Sequence, residues 1–412
     1  MTTTQLDVPA HLVTDFDVYD PALAGAHDVF NKVIGKLAAV GPVRYSTAHG
    51  GHWIVLGYPE VHEVLRDAGL FSSYPSNLVN AASGRFIPAE IDPPEHTAWR
   101  KLLQPLFNPT RMKALEHQIT DTVARLVDGF AERGSVEFVS EFAHQLPAAV
   151  FMSLMGWPMA DVGLFSECTD TVVFGKPGAN KRENALARQE AAQRMYSYFL
   201  QVLADCRARG DLDDVTTSIL ATPLHGADGP PQPTDDEFCR LLFLLAIGGL
   251  HTVQGSLAWS VMHLAQRPEQ RRRLLDDPGL LPGVVEEVLR YETAVSTCRT
   301  ATADARLGDV TIRAGDRLLV MLAAANRDAR EFDTPESLHP DRAPNRHLAF
   351  GAGPHRCVGS HLARIEISLA LQEIHRRIPD YRLDPDQPVL THASQVRGVL
   401  RLPLIFTPER TA

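Results

Sequence analysis

One cysteine of this chain lies in a setting that suits a metal-binding thiolate. The segment Phe-Gly-Ala-Gly-Pro-His-Arg-Cys-Val-Gly runs from Phe350 to Gly359 and surrounds Cys357 with small, turn-forming residues and an arginine. Gly351 and Gly353 can adopt backbone conformations that other residues avoid, so main-chain N–H groups can turn toward the sulfur and stabilise its negative charge. The segment therefore predicts a loop that presents a thiolate to a metal.

This segment resembles the haem-binding segment of the cytochrome P-450 family, which leads into a helix. The resemblance implies that Cys357 is the axial thiolate of the iron of haem b (iron protoporphyrin IX), a ligand that favours O–O cleavage. Phe350, Gly351 and Gly359 would then contact the cofactor. A buried structural role would be the better interpretation of an isolated cysteine, but the matching context favours the haem ligand. Arg356 stands where a dinucleotide-binding loop needs its next glycine, which excludes that alternative.

A long helix is predicted to begin after Pro233 and to end near Gln266. Thr234 and Glu237 have the spacing of a capping box at its start. At about 1.5 Å per residue the helix would cross a whole domain. Its middle contains Gly248 and Gly249, followed by a threonine whose hydroxyl can bond back to the carbonyl four residues earlier, so we expect a distortion there.

The same stretch resembles the oxygen-binding groove of the family. The resemblance implies that Gly248 lies against the haem and that Thr252 donates a hydrogen bond to dioxygen or to a water that delivers protons. His251 stands where the family usually has Asp or Glu. An imidazole has an unperturbed pKa of about 6.5 and can relay protons itself. Alternatively, His251 faces another helix and fills space, and the sequence leaves both interpretations open.

Two further sets of residues follow from the resemblance. Glu287 and Arg290 form a Glu-x-x-Arg pattern, which places both side chains on one helical face. Arg342, in Pro340-Asp341-Arg342, would complete a structural network that holds the Cys357 loop, although the segment 335–337 is an alternative match. The haem propionates need cations or hydrogen-bond donors, and the candidates are His96, Arg100, Arg299 and His355.

Substrate contacts are expected from scattered, mainly apolar segments. A loop over residues 71–90 would cap the pocket, the long helix would line one side, and two later segments would complete it; the candidates are Tyr74, Leu78, Arg85, Phe86, Leu244, Ile247, Gly248, Val295, Thr297 and Val396. The apolar character favours a small-to-medium hydrophobic substrate such as a terpenoid, an alkyl aromatic or a steroid-like compound. Arg85 raises the alternative of a carboxylate substrate.

Composition bounds the fold class, the hydrophobic patterns along the chain indicate mostly helix, and the resemblance implies a single large haem-thiolate (cytochrome P-450) fold. The chain has 412 residues, of which 44% are hydrophobic and 22% charged, so it can bury a large core. It reads as mainly α with small β-sheets and as a single domain over residues 1–412, with 1–17 loosely ordered. Hairpins are expected between residues 43–45 and 53–56 and between 310–312 and 318–322. Amphipathic helices are expected over 114–130 and 184–206.

Charge and cysteine usage restrict the partners and the compartment. The net charge of −10 disfavours nucleic acid, and the first nineteen residues lack the apolar run of a signal peptide or anchor. Five widely spaced cysteines argue against a disulfide framework. We therefore expect a soluble, cytoplasmic protein that binds neither nucleic acid nor a membrane.

The resemblance also implies the electron source. It points to a separate iron–sulfur ferredoxin with an NAD(P)H-dependent reductase, which would dock on a basic patch; the candidates are Arg111, Lys113, Arg356 and Arg364. Residues 175–178 are rich in glycine and predict a flexible connection that acts as a lid.

Three classes of function follow. The leading one is a haem-thiolate monooxygenase that hydroxylates or O-dealkylates its substrate with dioxygen, with Cys357 on the iron and Thr252 and His251 managing protons. The others are a peroxide-driven haem enzyme, against which Thr252 argues, and a non-catalytic haem-thiolate sensor or ligand-binding protein.

Overall fold

A computed structural model describes residues 8–25, 29–79, 84–176, 178–209, 214–224 and 232–410. Its α-helices are α1 (Val29–Val40), α2 (Tyr58–Arg66), α3 (Glu95–Leu103), α4 (Pro109–Lys113), α5 (Glu116–Asp128), α6 (Gln145–Met155), α7 (Val162–Phe174), α8 (Lys181–Arg209), α9 (Val215–Ala221), α10 (Asp235–Gln266), α11 (Pro268–Asp276), α12 (Leu281–Tyr291), α13 (Leu322–Ala325) and α14 (Ser360–Arg377). Its strands are β1 (Val13–Thr14), β2 (Val43–Ser46), β3 (His52–Val55), β4 (Phe71–Ser72), β5 (Ser135–Glu137), β6 (Thr297–Ala301), β7 (Ala305–Leu307), β8 (Val310–Ile312), β9 (Arg317–Val320), β10 (Arg382–Leu383), β11 (Leu390–His392), β12 (Gly398–Arg401) and β13 (Pro403–Ile405). The predicted mainly α fold with small sheets is confirmed.

Helix α10 is the central element of the largest hydrophobic core. Its N-terminus carries the predicted capping box, in which the hydroxyl of Thr234 accepts from the N–H of Glu237 and the Glu237 carboxylate accepts from the N–H of Thr234. The helix is long and apolar enough to cross a membrane by length and composition, but most of its apolar stretch is buried inside the protein. It is therefore a core helix.

The predicted distortion of α10 does not interrupt it. The helix continues through Gly248 and Gly249, and the Thr252 hydroxyl makes the expected bond to the Gly248 carbonyl at 2.8 Å. The ring of Phe151 lies against Gly249, where a Cβ atom would meet it at 3.3 Å. Close packing by α6 thus outweighs the weak helix propensity of the glycine pair.

The main sheet confirms one predicted hairpin and corrects the other. Its strand order is β1-β2-β3-β9-β6-β4, and β2 pairs with β3 in antiparallel register from Val43 opposite Val55. The expected hairpin between 310–312 and 318–322 is wrong, because β8 pairs with β7 while β9 lies between β3 and β6. Gly308, with φ of +56°, lets β7 and β8 join by a short turn. Strand β9 is buried over residues 318–320 and needs a partner on each edge.

The N-terminal segment contributes one short strand to the main sheet. Residues 13–14 form β1, which pairs in parallel with β2 from Val13 opposite Tyr45. Residues 1–7 lie outside the described part of the chain, and the loosely ordered segment expected over 1–17 stays a prediction. Separate small sheets join β10-β13-β5, β11-β12 and β7-β8.

Candidate functional site

The loop before α14 holds Cys357 through its own backbone. The Cys357 N–H donates to the carbonyl of Phe350 at 2.8 Å, and the Gly351 N–H donates to that of Leu348 at 2.8 Å. Gly351 and Gly353 have φ of +69° and +68°, in the left-handed region that favours glycine. At Gly353 a Cβ atom would also meet a backbone carbonyl of α2 at 2.5 Å. The loop is therefore shaped by backbone turns and by close contact with α2.

The sulfur of Cys357 is poised as a ligand. The thiol lies deep within the protein, and burial raises its pKa, whereas a hydrogen bond from the backbone of Gly359 and the positive charge of Arg100 act to lower it. Even so, Cys357 retains accessible surface, unlike the four other cysteines, which are buried. An accessible thiol at such depth faces an internal space.

One face of α10 borders open space in the same way. Gly248 is exposed and Leu244, Ile247 and Thr252 are half-buried, whereas Ala246, Leu250 and His251 are buried. A Cβ atom added at Gly248 would meet nothing within 4 Å. The spacing of four residues places Leu244, Gly248 and Thr252 on a single face, and this face has the room that a large ligand requires.

The four residues predicted to bind the propionates lie together. The rings of His96 and His355 are 3.9 Å apart, and Arg299 is 4% exposed. Burial lowers the pKa of His355 to about 3, with further lowering by His96 and Arg299. Burial likewise lowers the pKa of His96 to about 4, with a contribution from Arg100.

This cluster is short of negative charge. The carboxylate that acts on His96 and Arg299 is that of Asp92, and its oxygens already accept hydrogen bonds from two serines. Within the described part of the chain, Arg100 Nε and His355 Nε2 are buried without hydrogen-bond partners. A buried donor without a partner costs free energy. An anion bound at this cluster would remove that cost. The two propionates of haem fit that requirement, and the accessible thiol fits its iron.

The predicted structural network is present. Arg290 Nε and Nη2 donate to the two Glu287 oxygens at 2.8 Å each, and both side chains are buried. Arg342 Nε lies 3.1 Å from Glu287, so this arginine is the third member. The alternative segment, 335–337, also takes part, but through carbonyl groups that accept from Arg290 at 2.9 Å.

Asn326 links this network to the thiolate loop. Arg290 Nη1 donates to the carbonyl of Asn326 at 2.8 Å. The side-chain oxygen of Asn326 accepts from the N–H of Leu348 at 2.7 Å. Leu348 begins the loop, since its carbonyl binds Gly351. Asn326 could not be identified from the sequence, because no local pattern marks this residue.

His251 faces away from the open side of α10. Its Nε2 lies 2.8 Å from an oxygen of Asp170 on α7, and its side chain is 1% exposed whereas that of Asp170 is 42% exposed. His144 Nε2 lies 3.8 Å from the other Asp170 oxygen, and the edge of Phe174 meets the His251 ring at 4.7 Å. The Nδ1 atom of His251 is buried without a partner. His251 thus faces another helix, as one interpretation held, and there it contacts a partly exposed acid rather than only filling space.

The Thr252 hydroxyl makes the bond to Gly248 that the sequence indicated, and its hydrogen bond to dioxygen or to a water stays a prediction. A hydroxyl carries one hydrogen, and that of Thr252 is donated to the carbonyl of Gly248. Its remaining lone pairs are therefore free to accept a hydrogen bond from the open side of the helix.

The candidate pocket residues divide into lining and core. The rings of Phe86 and Phe243 stack at 6.0 Å, and Val295 pairs with Val396 as an isolated bridge. Leu78 is 5% exposed and belongs to a core cluster beside the main sheet, which leaves little of its surface for a ligand.

Polar candidates near the pocket already have partners. The guanidinium of Arg85 lies 4.3 Å from the centre of the Tyr74 ring, and both residues are exposed. Thr297 accepts a hydrogen bond from Arg299 at 3.1 Å. Arg85 therefore sits at the rim, on an aromatic ring, rather than inside an apolar pocket.

One residue of the candidate docking patch, Arg364, already has partners within the protein. Arg364 Nη2 binds Glu286 at 2.8 Å, and its guanidinium covers the Phe350 ring at 4.4 Å. Arg364 therefore fixes the thiolate loop to α12 instead of offering a free charge. Lys113 and Arg356 are exposed and Arg111 is half-buried.

The candidate lid lies only in part within the described chain. Gly175 ends α7 with φ of +78°, and Pro177 lies outside the described residues.

The chain is similar to known proteins in both sequence and fold. The family model described as cytochrome P-450 matches residues 167–403. The chain is 33% identical to mycinamicin IV hydroxylase/epoxidase of Micromonospora griseorubida, over 95% of this chain and 97% of the relative. It is 33% identical to a steroid C26-monooxygenase of Mycobacterium tuberculosis, over 78% of this chain and 86% of the relative. The crystal structure of CYP101C1 superposes with a TM-score of 0.87 at 31% identity, over 97% of this chain and 98% of that one.

Proposed function

The chain belongs to the cytochrome P-450 family, whose cofactor is haem, and we propose that it is a monooxygenase that hydroxylates or O-dealkylates a small-to-medium hydrophobic molecule. The observation that carries the proposal is the accessible thiol of Cys357 deep inside the protein, in a chain that also holds the charges of Arg100 and Arg299 in a cluster short of anions. Bound haem supplies dioxygen activation and the oxidation of the substrate carbon. The protein supplies ligation, orientation and protons.

Residues on two sides would hold the cofactor. Cys357 would ligate the iron, while His96, Arg100, Arg299 and His355 would bind the propionates. Cofactor binding would then satisfy the orphaned donors of the cluster. Gly248 and Gly351 have open space where a side chain would stand, which suits close contact with a flat ring.

For proton supply, Asp170 and His251 would form a connection to solvent. Asp170 is partly exposed and holds Nε2 of the buried His251, whose Nδ1 is buried with no hydrogen-bond partner among the described residues. A neutral imidazole can take a proton at one nitrogen and release one from the other. Thr252, as an acceptor, would orient the donor that receives this proton.

His251→Ala and Asp170→Asn test this route. Both should uncouple NAD(P)H consumption from product and should increase the solvent isotope effect, whereas His117→Ala, on an imidazole that is 91% exposed, should do neither. Full coupling in His251→Ala would refute the relay.

The substrate class is tested by titration of the purified haem protein with terpenoids, alkyl aromatics, steroids and aromatic acids while the Soret band is recorded. The apolar lining supports a hydrophobic ligand, and the name of one relative includes a steroid. A high-spin shift with any hydrophobic class would support the proposal. A shift with aromatic acids alone would contradict it and would favour recognition of a carboxylate by Arg85.

For electrons, we propose a separate ferredoxin with its NAD(P)H-dependent reductase, acting on a soluble, cytoplasmic enzyme. Lys113 and Arg356 are exposed near α4 and the thiolate loop, where positive charge would attract an acidic partner. Lys113→Glu should slow reduction by ferredoxin at low salt. Lys36→Glu, an exposed site on α1, is the matched control. Equal rates for the two variants would exclude docking at Lys113.

A further inference from the structure

We propose that Gln395 is a positioning residue that sets the shape of the substrate pocket by joining three of its segments. The inference rests on the proposed function, because the pocket is part of that proposal. Gln395 lies between β11 and β12 and is 3% exposed. A polar side chain buried to this degree must have its hydrogen bonds satisfied by its surroundings.

The side-chain amide of Gln395 makes every hydrogen bond that it can. Its Oε1 accepts from the N–H of Leu78 at 2.7 Å and from the hydroxyl of Tyr19 at 2.7 Å. Its Nε2 donates to the carbonyl of Ser76 at 3.2 Å and to that of Ser296 at 3.3 Å. An amide offers two acceptor sites and two hydrogens, so both ends are fully used.

Only one orientation of the amide satisfies these neighbours. The N–H of Leu78 requires an acceptor, and the carbonyls of Ser76 and Ser296 require donors, so exchange of Oε1 and Nε2 would oppose like groups at each contact. The backbone adds a further link, since the N–H of Ser296 donates to the Gln395 carbonyl at 2.7 Å. The side chain therefore fixes distances between segments that are far apart in sequence.

Each of the three segments carries residues of the candidate pocket. Val396 follows Gln395, and its bridge partner Val295 precedes Ser296. The third segment begins the loop that caps the pocket.

Glu90 extends this link along the capping loop. Its Oε1 accepts from the N–H of Ser76 at 2.8 Å, and its Oε2 accepts from the N–H of Phe86 at 2.8 Å. A shift at Ser76 would therefore reach Phe86. Loss of the amide at position 395 should loosen Phe86, Val295 and Val396 together while leaving the thiolate loop unchanged.

The test uses N-alkylimidazoles, from N-methylimidazole to N-decylimidazole, which bind the haem iron through nitrogen and extend the alkyl chain into the pocket. Dissociation constants come from the Soret shift of the purified holoenzyme. The variants are Gln395→Leu, which removes every bond of the amide, and Gln395→Glu, which keeps an acceptor for Leu78 and removes both donations. Gln387→Leu, on an exposed glutamine between β10 and β11, is the matched control.

We expect the affinity ratio between the longest and the shortest probe to change by about tenfold in Gln395→Leu, which corresponds to about 1.4 kcal/mol. The change should be at least as large in Gln395→Glu, whose carboxylate oxygen would face the carbonyls of Ser76 and Ser296, and absent in Gln387→Leu. N-methylimidazole should bind all four proteins alike, because it does not reach the pocket walls. If Gln395→Leu fails to fold, the affinity ratio measured on Gln395→Glu tests the proposal by itself.

A ratio that stays as in the wild type, or an equal change for every probe, would overturn the positioning role, since general destabilisation does not discriminate by chain length. If N-methylimidazole failed to bind the wild-type holoenzyme, the proposed function itself would fall. The two failures are therefore distinguishable.

Discussion

Glu287 on α12 and Glu366 on α14 are both buried on helices that pack beside the thiolate loop, with exposed fractions of 1% and 2%, yet their surroundings are opposite. Glu287 accepts hydrogen bonds from Arg290, Arg342 and the N–H of His339. Although burial acts to raise it, these bonds hold the pKa of Glu287 below its usual range. Glu366 Oε2 has no hydrogen-bond partner among the residues that the structure describes, and burial raises the pKa of Glu366 to about 8.

The comparison separates burial from charge. A buried carboxylate remains ionised where arginines neutralise it, and a carboxyl group without such partners keeps its proton at neutral pH. The first arrangement organises a loop because it needs several segments at once, whereas the second constrains no other side chain that we identify.

The largest effect should come from Glu287→Gln. The substitution leaves two buried arginines without their carboxylate, and loss of one partner of a buried pair costs about 3–5 kcal/mol. Unfolding in urea should show that loss, and the reduced carbon-monoxide spectrum should show less thiolate-ligated haem, because Arg290 holds Asn326 and thereby Leu348. If the carbon-monoxide spectrum of Glu287→Gln matched that of the wild type, the network would not support the thiolate loop.

Glu292→Gln should sharpen the comparison, with a slightly smaller effect. Glu292 is as buried as Glu287 and binds His263 at 2.9 Å together with Arg397 and Asn31. Its loss should also cost about 3 kcal/mol. Its partners lie on α10, α1 and the segment before β12, so the carbon-monoxide spectrum of the remaining folded protein should be unchanged. Loss of thiolate ligation in this variant would mean that any buried pair supports Cys357.

Glu366→Gln should act in the opposite direction, and its effect should depend on pH. Between the ordinary value of 4.5 and the folded value of about 8, the folded state retains a proton that the unfolded state has released. Stability from this group is therefore complete below pH 4.5 and falls as pH rises, by up to about 1.4 kcal/mol per unit. We would measure the free energy of unfolding in urea from pH 5 to 8 for the wild type and for Glu366→Gln. As pH rises, it should fall in the wild type relative to the variant. If the free energy of unfolding had the same pH dependence in both proteins, Glu366 would be ionised and would have a partner.

The smallest effect is expected for Asp341→Asn. Asp341 and Arg273 form an ion pair at 2.7 Å with both side chains 55% exposed. Exposed pairs contribute less than about 1 kcal/mol. Urea unfolding should barely change, and a loss comparable to that of Glu287→Gln would mean that burial is not what distinguishes these acids.

Short-range patterns were readable from the sequence, and contacts between distant segments were not. The Cys357 loop, the Glu287–Arg290 pair and the capping box at Thr234 each depend on residues within a few positions of one another. The contact of His251 with Asp170 spans 81 positions, and that of Arg364 with Glu286 spans 78. Gln395 carries no local pattern, since its role depends entirely on three segments that only the fold brings together.

The second predicted hairpin failed for a related physical reason. Alternation and turn residues identify strands, but they do not identify partners. Residues 317–320 read equally well as the arm of a hairpin and as an interior strand, and only the availability of β3 and β6 decides between them.

The bonds of Gln395 and Arg397 have a consequence for the order in which the molecule is completed. Tyr19 and Gln395 are 376 positions apart, and Asn31 and Arg397 are 366 apart. During synthesis from the N-terminus, the early segment must wait for almost the whole chain to emerge before these contacts form. Such distant pairings slow folding, so the pocket should be among the last regions to become rigid on a newly made chain.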